Sequence, residues 1–111
     1  MRLHRNLVFT TIDSLMAIFN EGEYADKVVA RALKKDKRWG SHDRKFVAET
    51  IYEIVRWKRL YVEIAEVKEP FDRDKIWRIF AVWAVLRGYT LPDWKYFEET
   101  PVQRVNSRLD G

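Results

Sequence analysis

A chain of 111 residues accommodates one domain and leaves no room for two. Hydrophobic residues at 47% and aromatics at 14%, with five Trp, argue against disorder and supply material for a packed core. Cysteine is absent, the histidines His4 and His42 are far apart, and no apolar run approaches the roughly 20 residues that span a bilayer. This composition excludes a disulfide framework, a thiolate metal site, a cysteine nucleophile and a membrane helix, and it reads as soluble and cytoplasmic.

The first helix is predicted from Leu3, Leu7, Val8, Ile12, Leu15, Ile18 and Phe19, which recur at three- and four-residue steps and end at Asn20-Glu21-Gly22. Ala25, Val28, Val29, Ala32 and Leu33 form the stripe of a second helix, which dissolves in the charged run Lys34 to Arg38 and stops at Trp39-Gly40. Ser41 or Asp43 is expected to cap a third helix, whose apolar set includes Phe46, Val47, Thr50, Ile51, Ile54, Val55, Trp57, Tyr61 and Ile64. This helix is expected to run to about Val67, ahead of Pro70. Asp72 or Asp74 caps a fourth helix that buries Ile76, Trp77, Ile79, Phe80, Trp83, Ala84 and Leu86 and ends at Gly88. Pro92 opens a short fifth helix with Trp94 and Phe97 inward, and after Pro101 the pattern fades into a polar tail. No strand-like alternation competes. The expected fold is all-α, a compact bundle of about five helices.

The formal net charge of +4 is unevenly distributed. Residues 31–59 hold ten Lys/Arg and four Asp/Glu, whereas the rest of the chain holds eleven against thirteen. Charge so localised points to a polyanion partner. Within the segment, Lys34, Lys35, Lys37, Arg38, Arg44 and Lys45 surround one turn and can converge in space. At 100° per residue, Lys45, Tyr52, Arg56 and Arg59 fall in one arc of the third helix, opposite its apolar stripe. Cations with an aromatic among them can track a phosphate backbone and stack a base. Alternatively this is a solvated face with local Lys45–Glu49, Glu53–Arg56 and Arg59–Glu63 pairs. The Trp residues at helical spacing, Trp57, Trp77 and Trp83, read as core. His42 beside Asp43 has the residue types of a base and its orienting carboxylate. Neighbours at a helix start diverge, however, and no nucleophile is evident, so His42 reads as a surface residue and no catalytic residue is assigned.

The stretch from Ala30 to Glu49, with Tyr52 and Val55-Arg56-Trp57 after it, resembles the N-terminal NusB-like domain of the Nop/Sun (RsmB-like) RNA cytosine-5 methyltransferases. The resemblance rests on Gly40, Ser41, Asp43, Arg44, Phe46, Ala48, Glu49, Tyr52, Arg56 and Trp57, and its motif-rich part spans residues 24–60. It implies a NusB-like helical domain over residues 1–100 that holds an RNA substrate, rRNA or tRNA, for a separate C-terminal methyltransferase domain. Residues 101–111 would then begin the linker to that domain. The residues of this motif also have a structural reading, in which Gly40 permits a sharp turn, Ser41 or Asp43 caps, and Arg44 pairs with a helix end.

Methylation at cytosine C5 needs a thiolate, a second cysteine for release and a glycine-rich turn for S-adenosylmethionine. This chain has no Cys, and none of its four Gly forms such a turn, so cofactor and chemistry are expected in the other domain. RNA contact is expected at Lys35, Lys37, Arg38, Arg44, Lys45, Tyr52, Arg56 and Arg59. Two alternatives are a stand-alone NusB-like antitermination factor and a helical domain that docks on its own catalytic domain.

Overall fold

A computed structural model describes residues 3–92 and 94–97. Among these are five α-helices: α1 (Arg5–Glu21), α2 (Ala25–Ala32), α3 (Ser41–Arg56), α4 (Lys58–Ala65) and α5 (Arg73–Leu86), followed by a 3₁₀ turn at Lys95–Phe97. The expected linker, residues 101–111, lies outside the described residues.

The apolar stripes explain the packing. Val8, Ile12 and Leu15 of α1 are fully buried, and α1 packs against α2, α3 and α5. Val47, Ile51 and Ile54 form the inner face of α3, while Ile76, Trp77, Ile79, Phe80 and Trp83 fill the centre from α5. Phe9 meets Trp77 edge to face at 5.6 Å between ring centres, which locks α1 to α5. Two buried hydroxyls on α1 are satisfied within the helix: Thr11 donates to the Leu7 carbonyl and Ser14 to that of Thr10. Asp13, on the outer side of α1, pairs with Arg73 of α5 at 2.8 Å and with Lys35 at 3.6 Å.

Helix ends follow the sequence in part. Gly22 (φ 71°) and Gly88 (φ 83°) occupy the left-handed conformation that ends a helix. Asp72 caps α5, its carboxylate accepting from the Lys75 N–H at 2.9 Å. The start of α3 departs from expectation, because neither Ser41 nor Asp43 is the cap. Ser41 is already helical, Gly40 takes the cap position, and Asp43 reaches back to accept from the Gly40 N–H at 3.3 Å. Gly40 itself has φ −83° and open space where a Cβ would stand, so the turn does not require glycine.

The expected single helix from residue 41 to about 67 is two helices. Trp57 (φ −108°, ψ 32°) leaves helical geometry, α4 starts again at Lys58, and Glu66 (φ 58°) closes it. On a straight helix Trp57 would continue the buried stripe seven residues after Thr50. The break instead starts a new stripe, Tyr61 and Ala65, which faces inward while Trp57 stays outside. Where a fifth helix is predicted after Pro92, the described residues hold the 3₁₀ turn Lys95–Phe97, with Phe97 buried and the half-buried Trp94 stacked on it at 5.7 Å.

Candidate nucleic-acid interface

The turn between α2 and α3 is held from inside and charged outside. Trp39 is buried and joins the core, anchoring the turn from within. Asp36 organises the outer loop, accepting from the Arg38 backbone N–H at 2.9 Å and from its guanidinium at 3.1 and 2.9 Å. These bonds from the Arg38 side chain and backbone hold the Asp36 carboxyl below its usual range and push Arg38 up.

Around this frame Lys34, Lys35, Lys37, Arg38, Arg44 and Lys45 are all exposed. Three have acidic partners: Lys35 has Asp13, Arg38 has Asp36, and Lys45 has Glu49 at 3.9 Å. Lys34, Lys37 and Arg44 have no carboxylate partner among the described residues. Exposed pairs of this kind are weakened by water and salt, so they offer little resistance to a competing phosphate.

The outer face of α3 differs. Tyr52 and Arg56 line one cleft together with Glu49, Glu53, Trp57 and Arg87. Its carboxylates are engaged. Glu53 accepts from the Trp83 indole N–H at 3.1 Å and pairs with Arg87 at 3.1 Å, while Glu49 meets Lys45. The Glu53–Arg56 pairing open to the sequence is thus replaced by a tie from α3 to α5. Tyr61 beside Glu53 is pushed up, first by burial and then by that carboxylate. Tyr52 donates its hydroxyl to Asp26 of α2 at 2.7 Å, and this bond, more than partial burial or the carboxylate's charge, raises its pKa. The Arg56 guanidinium lies 5.4 Å from the centre of the Trp57 ring.

The expected contact residues therefore divide. Lys35, Lys37, Arg38, Arg44 and Lys45 are exposed on the turn and the start of α3, with Lys35 beside Asp13 of α1 and Lys45 beside Phe46 and Tyr89, and Tyr52 and Arg56 share the cleft. Arg59 is exposed on α4, beyond the break, so it does not extend the arc of α3. His42 is exposed and lines a neighbouring hollow with Lys45, Phe46 and Tyr89.

Trp57 overturns its assignment to the core, being 49% exposed. The cations Arg56, Lys58 and Arg59 that surround it were the available signal. Arg87 and Asp26 carried none, because their partners stand 34 and 26 residues away.

Among the described residues Gly22, Gly40 and Gly88 stand singly at helix ends. No group of three or more His, Asp or Glu among the described residues could hold a metal, and no helix there is long and apolar enough to cross a membrane. Compared with known families, curated proteins and solved structures, the chain matches no family model, no curated protein and no solved structure.

Proposed function

We propose that this chain is an RNA-binding and RNA-positioning helical domain, and that it serves an rRNA or tRNA cytosine-5 methyltransferase. The observation that carries the RNA reading is the turn from Lys34 to Lys45, where six cations are exposed around a buried Trp39. The methyltransferase assignment rests on the resemblance over residues 24–60 to the NusB-like domain of that family. Methyl transfer and S-adenosylmethionine belong to a separate catalytic domain in this reading, and this domain contributes affinity and placement of the RNA.

Phosphate contacts release counterions, so log affinity falls with log salt by about 0.7–0.9 per contact. The test is fluorescence anisotropy with structured RNA over a salt series, comparing the parent with a variant carrying Lys37→Glu, Arg38→Glu and Lys45→Glu. The variant is expected to bind unrelated RNAs about tenfold or more weakly, with a flatter salt slope. Its melting temperature should stay close to the parent's, because all three residues are exposed. Equal binding by parent and variant would remove the turn as the RNA face and put docking on the catalytic domain in its place.

A further inference from the structure

Trp57 and Tyr52 are two of the large side chains left outside the core, at 49% and 42% exposure. Both line a cleft of about 410 Å³ at the end of α3. Neither is loosely held. The Tyr52 hydroxyl is tied to Asp26 of the neighbouring helix, which orients the phenol while its ring stays open to solvent. The Arg56 guanidinium steadies the Trp57 indole through a cation–π contact and has no carboxylate partner among the described residues. Aromatic faces fixed in advance lose little freedom on binding a flat partner.

The charges indicate what that partner is. Arg56 and Arg87 in the cleft are offset by Glu49 and Glu53. A cleft with no net charge is a poor phosphate site and a good one for an uncharged planar group. The cations without partners, Lys34, Lys37 and Arg44, lie towards the opposite end of the same helix. A strand of RNA laid along α3 would meet phosphate contacts at one end and aromatic faces at the other.

We propose that this cleft receives an unpaired base of single-stranded RNA, stacked on Trp57 and Tyr52. The proposal rests on the RNA-binding function given above. It places the domain on loops or single strands rather than duplex, because paired bases hide the faces that stacking uses.

Anisotropy with an unstructured RNA of about 12 nucleotides, and with its blunt duplex, tests this. Stacking is worth about five- to a hundredfold in affinity per base. Trp57→Ala is therefore expected to weaken single-strand binding about tenfold, leaving duplex binding and the salt slope unchanged. Trp57→Tyr, which keeps an aromatic face, should retain most of the affinity and control for folding. Tyr52→Leu should lose affinity for the single strand where Tyr52→Phe keeps it. Single-strand binding by Trp57→Ala at the parent's strength would overturn the base site. So would an equal loss on duplex, or a parent that self-associates in sedimentation through Trp57, which would make the patch a contact between copies. If reversing Lys37 and Arg38 abolishes binding while Trp57→Ala spares it, only the base site fails. If the parent binds neither RNA, the RNA function fails with it.

Discussion

An Arg-Trp pair stands at each end of α3, Arg38-Trp39 before it and Arg56-Trp57 after it, and the two are used in opposite ways. Trp39 is 7% exposed and belongs to the core, while its arginine is spent on Asp36 in a solvated loop. Trp57 is 49% exposed, and its arginine lies against the indole. The dipeptide is the same, so its chemistry does not decide the outcome. Position relative to the inner stripe of α3 does. The turn before the helix brings Trp39 under the bundle, and the break after it leaves Trp57 outside. One end therefore offers charge over a hidden aromatic, and the other offers an aromatic with its charges balanced.

The largest effect that would sharpen this contrast comes from the support beneath the far end. Trp83 is buried against Phe46, Phe80 and Tyr89, so Trp83→Ala should cost about 3–5 kcal/mol. At about 4–8 °C per kcal/mol, the melting temperature should fall by at least about 12 °C. Trp57→Ala should cost about 1 kcal/mol or less, as exposed substitutions do. Equal losses in calorimetry would break the distinction between a supporting and a presented tryptophan.

Removing the carboxylate that joins α3 to α5 comes next. Glu53→Ala leaves the part-buried Trp83 indole N–H without its acceptor, a loss of about 1–3 kcal/mol in urea denaturation. The Arg87 pair adds little, because that guanidinium is half exposed.

At the near end, the buried Trp39 indole nitrogen has no hydrogen-bond partner among the described residues. Trp39→Phe keeps an aromatic ring and removes that donor, so stability should change by about 1 kcal/mol or less. A cost of about 1–3 kcal/mol, with a partner left unsatisfied, would mean that the indole N–H is bonded after all.

The smallest expected effect is a pH dependence. Tyr52 is raised above the ordinary tyrosine value of about 10, chiefly by its bond to Asp26, which only the neutral phenol can donate. That bond stabilises the fold in full below the unfolded tyrosine value and is lost as pH rises through the raised one. In a ¹³C NMR titration, Asp26→Asn should move the Tyr52 midpoint back toward the ordinary value. An unmoved midpoint would show that Asp26 does not hold the ring.

Much of the bundle is legible residue by residue. The stripes Leu7, Val8, Ile12 and Leu15, then Val28 and Val29, then Ile76, Trp77, Ile79, Phe80, Trp83 and Ala84 are buried as their periodicity demands, and Gly22 and Gly88 end helices as expected. The exposed cations of the turn were equally legible, because six charged side chains so close in sequence cannot all be buried. The cleft was not. Periodicity carries a helix past Trp57 without registering a break, since Tyr61 and Ala65 are apolar enough to continue the pattern. Glu53 read as a partner for Arg56, because neighbours on one helix are the only pairs that spacing reveals.

Sequence by itself determined that the fold is all-α, which faces of α1, α2 and α5 are apolar and where the positive charge is concentrated, because these are local properties of composition and period. Tertiary structure alone decided that Trp57 faces solvent, that Arg87 and Trp83 engage Glu53, and that Asp26 holds Tyr52. The partners in those bonds are 26–34 residues apart. They meet only because α2 and α5 pack their apolar stripes against the neighbouring helices of the bundle, so the geometry of the cleft follows from burial elsewhere.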